Sequence, residues 1–147
     1  MRGLKSLIGN WVDFEADHIA YIMNDTVQQY WRDNAEALME RPGYTLLVDD
    51  KPMLSCGVFE LWPGVGETWL VTSSDVDKHP VAVARSVRWG LRHLIEREGF
   101  WRVQANVQVG WPAAERFAYW MGMKAEGLMP KFGLDGADHW RFAWVKE

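Results

Sequence analysis

The chain has 147 residues, with 16 Lys+Arg against 20 Asp+Glu, a formal charge of −4, a single cysteine and ten tryptophans. A chain of about 150 residues suits one domain that buries a real core without disulfides or a structural metal, and 48% hydrophobic against 24% charged residues is too apolar for disorder. No apolar run approaches the roughly 18 residues of a membrane span, and the mild acidity speaks against general nucleic-acid binding, which depends on clustered Lys and Arg.

Cys56 has no partner for an intrachain disulfide, which points to a reducing compartment or an indifferent thiol. The basic start Met1-Arg2-Gly3-Leu4-Lys5 meets Asn10 and Asp13 before a hydrophobic region can form, so no secretory signal is expected. A cytoplasmic location is expected. No repeat or low-complexity tract interrupts the chain, and 1–147 reads as a single domain.

Residues 14–41 carry apolar side chains at threes and fours, from Ile19, Ile22 and Met23 through Val27, Tyr30 and Trp31 to Leu38. The spacing predicts helix. Asp25-Thr26 can divide it in two, and Arg41-Pro42-Gly43 ends it. The β-rich runs 44–48 and 53–61 flank Asp49-Asp50-Lys51-Pro52, and a second turn, Pro63-Gly64-Val65-Gly66, leads to 67–73. These predict a three-stranded antiparallel meander.

Pro80 suits the first turn of a helix. Val83, Val87, Leu91, Leu94 and Ile95 fall on one face of that helix, Arg85, Arg88, Arg92 and Glu96 on the other, and Gly99 stops it. The alternation Trp101 to Val109 predicts a strand. Pro112 to Met121 predicts a short helix ended by Gly122, and 128–134 with 139–145 predict a closing hairpin around Asp135-Gly136-Ala137-Asp138. The predicted order is ααβββαβαββ.

That order, with a strand, polar loop and long helix over Glu67–Ile95 and a strand and helix over Val103–Met123, resembles the GNAT N-acetyltransferase superfamily across nearly the whole chain. The resemblance implies an α/β fold with a mixed, mostly antiparallel sheet of six or seven strands flanked by helices. A shorter likeness, in Trp69-Leu70-Val71-Thr72-Ser73, Val109-Gly110 and Arg116-Phe117, is to GNAT-like proteins of short-tailed phages. It implies a phage origin, and with it a place in the host cytoplasm or the virion.

The family binds acetyl-CoA at a strand end and the following helix N-terminus, where backbone N–H groups hold the pyrophosphate. The resemblance places that site on Val71, Thr72, Ser73, Lys78, His79, Ala82, Ala84 and Arg85. The pyrophosphate loop departs from the family pattern: Ala82 and Ala84 keep small residues at spacing two, but no glycine is present and Pro80 removes a donor. Attack of an amine on the thioester needs a base, for which Glu67 and Glu60 are the strand candidates, and an acid for the thiolate. Matching Gly122-Met123 to the family's Gly-Phe pair puts Ala118 where a tyrosine often protonates the thiolate, and Trp111 where an asparagine often caps the helix. Tyr119, one residue later and therefore turned by about 100°, is the candidate acid.

Simpler readings compete. Glu67 beside Gly66 also suits a solvated strand start, and Arg85, Arg88 and Arg92 with Glu96 suit a solvated helix face. The histidines lie far apart, so no metal site is expected. Trp89, Trp120 and Trp144 fall in regular elements and suit the core, whereas Trp62 and Trp111 are candidates for exposure and contact. Two functions stay open: an acetyl-CoA-dependent N-acyltransferase acting on an unspecified amine, or a non-catalytic phage virion or assembly protein that kept the fold and binds phage or host proteins.

Overall fold

The structure is a computed structural model that describes residues 8–15, 17–18 and 43–147. The helices expected over 14–41 fall almost wholly outside those residues; Asp17 and His18 are helical. The elements are strands β1 (Asn10–Asp13), β2 (Gly43–Val48), β3 (Lys51–Trp62) and β4 (Val65–Thr72), a 3-10 turn at Ser74–Lys78, helix α1 (Pro80–Glu98), β5 (Arg102–Gln108), helix α2 (Pro112–Trp120), β6 (Lys124–Met129) and β7 (His139–Val145). They form a mixed, mostly antiparallel seven-stranded sheet in the order β1-β2-β3-β4-β5-β7-β6, whose β4–β5 pair is parallel. From β2 onward the expected order of strands and helices holds.

The chain packs as two compact units, one comprising the segments up to Phe59 and Trp69–Glu98, the other Glu60–Thr68 and Gly99–Glu147. In the first, β2 and β3 turn through Asp49 and Asp50, both at positive φ (51° and 61°), with Val48 opposite Lys51. Two successive positive φ values match the right-handed twist of the strands, and Asp is one of the few side chains that tolerates them. Strand β1 was not expected from the sequence: its four residues, polar at both ends, carry too little alternation to signal a strand, yet Trp11 aligns with Leu46 and is fully buried.

Helix α1 buries Val87, Leu91, Leu94 and Ile95, as the spacing predicts. Its last turn is tied to β2: Arg97 donates to the Tyr44 hydroxyl and its guanidinium lies 5.4 Å from the centre of the Tyr44 ring. Burial pushes the Tyr44 hydroxyl above its ordinary pKa against the opposing pull of Arg97. Trp89 corrects the sequence reading. It is exposed and stacks on His93, one turn along, at 5.4 Å, because its position falls outside the apolar stripe of α1. Trp69 takes a core place instead, with Phe14 edge-on at 5.0 Å.

In the second unit β5 lies between β4 and β7, and Val103, Val107, Phe142 and Ala143 are buried. Trp101 stands over Gly64, whose carbonyl accepts the N–H groups of Trp101 (2.9 Å) and Arg102 (3.1 Å). The expected 128–134 strand is displaced: β6 is Lys124–Met129 and none of its residues is buried. An edge strand exposed on both faces needs no alternation, so its sequence gives no period to read. Trp120 is exposed and Trp144 half-buried, against the expectation that both are core.

Candidate active site

Glu67 sits in mid-strand on β4, in register with Gln104 of β5. Side chains alternate along a strand, so Arg102, Gln104 and Asn106 share one face of β5, and Arg141 of β7 stands opposite Asn106. On that face Gln104 Nε2 donates to Glu67 Oε1 at 3.3 Å and Arg141 Nη1 lies 3.3 Å from the same oxygen. Arg102 Nε donates to Gln104 Oε1 at 3.2 Å, and the Arg102 guanidinium grips Glu126 with both terminal nitrogens. The reading of Glu67 as a solvated strand start is corrected: its side chain is 27% exposed and held from two strands.

Both contacts fall on Oε1, which leaves Oε2 as the oxygen with no partner among the described residues. Two neighbouring atoms, Arg141 Nε and Asn106 Oδ1, are buried without a hydrogen-bond partner among the described residues. Such atoms are uncommon in folded proteins. Glu60, the other strand carboxylate considered, is exposed at the end of β3.

Tyr119 is placed by the way α2 ends. Gly122 takes φ 92°, its N–H donates to Tyr119 O at 3.0 Å, and the Met123 N–H donates to Ala118 O at 3.1 Å. This is a Schellman stop, and the apolar pair that usually accompanies it is here buried Met123 with buried Ala118. Ala118 therefore faces inward, and Tyr119 is 57% exposed with its ring edge-to-face with Phe142 at 5.1 Å. Trp111, at the start of α2, makes no side-chain cap and is 60% exposed.

The segment 71–85 belongs to the first unit. Val71 is buried, Thr72 ends β4, and the Ser73 N–H donates to Met53 O at 2.8 Å. Ser73 Oγ accepts the Asp75 N–H at 3.2 Å, Lys78 Nζ pairs with Asp75 at 3.0 Å, and the His79 N–H donates to Val76 O at 3.2 Å. Ser73 Oγ, Lys78 Nζ and the His79 N–H are thus engaged within the 3-10 turn itself. The Val83 N–H donates to His79 O, and Pro80 has none, so Val81 and Ala82 carry the first-turn amides of α1 that lack an acceptor within the helix. No acidic residue lies in that turn; Ala82 and Ala84 are half-buried, and Arg85 is exposed without a partner among the described residues.

Cys56 is fully buried and burial pushes its thiol up to about 12, so it is no nucleophile at neutral pH. Among the described residues no cluster of His, Cys, Asp and Glu could hold a metal, and no helix is long and apolar enough to cross a membrane. Gln104 and Arg141 were missed by the sequence reading. The alternation over 101–109 put Gln104 on the polar face of its strand, but the neighbours of that strand are set by the sheet order.

No protein-family model matches the sequence, and no curated protein matches it. Solved structures do match: the fold is that of the GNAT acetyltransferases. The ribosomal-protein-S5-alanine acetyltransferase of Vibrio fischeri superposes with a TM-score of 0.76 at 11% identity, over 98% of this chain and 96% of that one. Ard1 from Thermoplasma volcanium gives 0.78 at 13%, over 96% and 99%. RimL, a ribosomal L7/L12 alpha-N-protein acetyltransferase in complex with coenzyme A, gives 0.76 at 12%, over 99% and 98%. At these identities the likeness establishes the fold and leaves activity to the site. None of it ties the chain to phage proteins.

Proposed function

We propose that the chain, taken as one domain over 1–147, is an acetyl-CoA-dependent N-acyltransferase whose base is Glu67. The observation that carries the reading is the clamp on Glu67: donors from β5 and β7 hold Oε1, while Oε2, with no partner among the described residues, is left to accept a proton. An amine that attacks a thioester carbonyl must shed one proton, and a carboxylate with one fixed and one open oxygen is built to take it. The new C–N bond forms as the C–S bond breaks, and the departing thiolate takes its proton from solvent. No step is assigned to Tyr119, whose hydroxyl has no hydrogen-bond partner among the described residues to orient it.

Acetyl-CoA, when bound, supplies the acyl group. The residues 71–85 fit its pyrophosphate through the open amides of Val81 and Ala82, small Ala82 and Ala84, and Arg85, which has no partner among the described residues, with no acid in the first turn to repel an anion. Val71, Thr72 and Ser73 shape the strand end that precedes them, while Lys78 and His79 serve the local turn. The amine acceptor is the second ligand.

A second reading draws on the exposed Trp62, Trp89, Trp101, Trp111 and Trp120: a protein-binding role without catalysis, its partners unnamed. Thermal shift and calorimetry with acetyl-CoA separate the two. A midpoint that rises with ligand concentration supports the acyltransferase; a flat response at millimolar acetyl-CoA overturns it. Release of CoA thiol with an amine panel, abolished by Glu67→Gln, then tests the base.

A further inference from the structure

Glu115 and Tyr119 lie four residues apart on α2 and so share one helix face. That face looks onto Trp140 and Phe142, which share a face of β7, and onto Ala125 of β6, which is paired with Phe142. With Val109 these residues line a cavity of about 320 Å³, at the small end of the roughly 300–1,000 Å³ typical of ligand sites. The small side chain of Ala125 leaves that space open.

The chemistry of the lining is specific. Tyr119 and Phe142 meet at 5.1 Å and 84°, the corner of a box, and Trp140 adds a third aromatic ring. Glu115 is half-buried among them and its carboxylate has no partner among the described residues. The Tyr119 hydroxyl also makes no hydrogen bond there. A carboxylate beside aromatic rings, with no Lys or Arg in the lining, has one natural complement. Ring faces attract cations through their quadrupole, and the attraction strengthens as water is excluded.

We propose that this cavity binds a small alkylated ammonium ion, with Glu115 as its counter-charge and Tyr119 and Trp140 as the walls. The site involves no CoA and stands apart from the acyl-transfer reading. It also gives Tyr119 a use: the turn of helix that takes it away from the inward position of Ala118 brings it onto the face of Glu115.

The test uses the full chain, with choline and Nε-trimethyllysine as cations and 3,3-dimethylbutan-1-ol as the neutral twin of choline. Binding is read by calorimetry and by the indole N–H resonance of Trp140, assigned by its loss in Trp140→Phe. Both cations are expected to bind and the alcohol not. If choline alone binds, the ligand is a free small molecule; if trimethyllysine binds far more tightly, it is a modified side chain. Glu115→Gln should weaken binding about tenfold, which corresponds to about 1.4 kcal/mol. Ala125→Leu, which fills the cavity from an exposed edge strand, should abolish it. Equal affinity for the neutral twin, full affinity in Glu115→Gln, or no response of the wild type to either cation overturns the proposal.

Discussion

Arg141 reaches from β7 past β5 to Glu67 on β4, and its Nη1 rests 3.3 Å from Oε1. The pair is 21% and 27% exposed, so solvent screens it and its share in stability is small, about 0.5 kcal/mol. Its effect on the proposed chemistry is larger, because it decides which carboxylate oxygen faces the acceptor. Glu67→Gln should lower kcat/KM by about 10²-fold or more with acetyl-CoA affinity unchanged. Arg141→Met should lower kcat by about tenfold with little change in the acceptor KM or in the unfolding midpoint, and Arg141→Lys should restore part of it. A parallel loss of stability and activity in Arg141→Met would reduce Arg141 to a structural role.

Cys56 offers a test of the core of the first unit. Its thiol is 1% exposed and pushed up to about 12 by burial, so the thiolate that reacts with disulfide reagents is almost absent near pH 8. Native protein should leave the reagent unreacted, and labelling should follow the unfolding curve in denaturant. Rapid labelling of folded protein would show that the β3 core opens locally.

How far the sequence carried the fold depends on which forces each segment reports. Trp101 to Val109 alternates because β5 is central with two unlike faces, and α1 shows its stripe because only one side is buried; both were legible to within a residue or two. Local geometry was legible too at Asp49-Asp50 and at Gly122, where the backbone requires particular residues. Asn10–Asp13 and Lys124–Met129 were not, one being too short and the other having no buried face. The site shows the same division. Glu67 was readable as a strand carboxylate, but Gln104 and Arg141 become its neighbours only through the order β4-β5-β7, a non-local fact.

His18 makes stability depend on pH. Its Nδ1 accepts the Glu15 N–H at 3.0 Å and lies 2.6 Å from Thr45 Oγ1, which in turn lies 2.7 Å from Ser55 Oγ. Thr45 and Ser55 are fully buried, so this line has no solvent to fall back on. Burial lowers the His18 pKa from 6.5, against the opposing pull of Glu15 and Asp17. Below pH 6.5 the unfolded chain therefore takes up this proton more readily than the folded one. The contribution is complete above about 6.5 and is lost as pH falls through the lower folded pKa. The unfolding midpoint of His18→Gln should accordingly fall less than that of the wild type between pH 8 and pH 5.5, one on each side of the ordinary histidine value of 6.5. Identical pH profiles would remove His18 from the account.

Glu126 and Arg102 form a fork on the polar face of the second unit, and Arg102 holds the Glu126 carboxyl below its ordinary 4.5. Its stabilising share is present above about 4.5 and lost as pH falls through the lower folded value. The side chains are 29% and 39% exposed, so a double-mutant cycle of Arg102→Met and Glu126→Gln should give a coupling of only about 0.5 kcal/mol. A coupling several times larger would mean that the fork is part of one network with Gln104 and Glu67, through the 3.2 Å contact of Arg102 with Gln104.

Gly64 is the position where both backbone and packing demand the absence of a side chain. Its φ is 88°, and a Cβ there would stand 2.2 Å from the Trp101 ring. The two costs can be separated, because Trp101 is 56% exposed and can swing aside, whereas the backbone of Gly64 is held by the N–H groups of Trp101 and Arg102 on its carbonyl. Gly64→Ala should cost about 1–2 kcal/mol from the left-handed backbone alone, plus whatever is lost in displacing the indole. In a Trp101→Ala background the steric part disappears and the backbone part stays, so Gly64→Ala should cost less there but never nothing. Denaturant unfolding of the four proteins measures both parts. A Gly64→Ala change that costs nothing in the Trp101→Ala background would mean that the turn before β4 relaxes out of the left-handed region, and that the start of the β4–β5 pairing is set elsewhere.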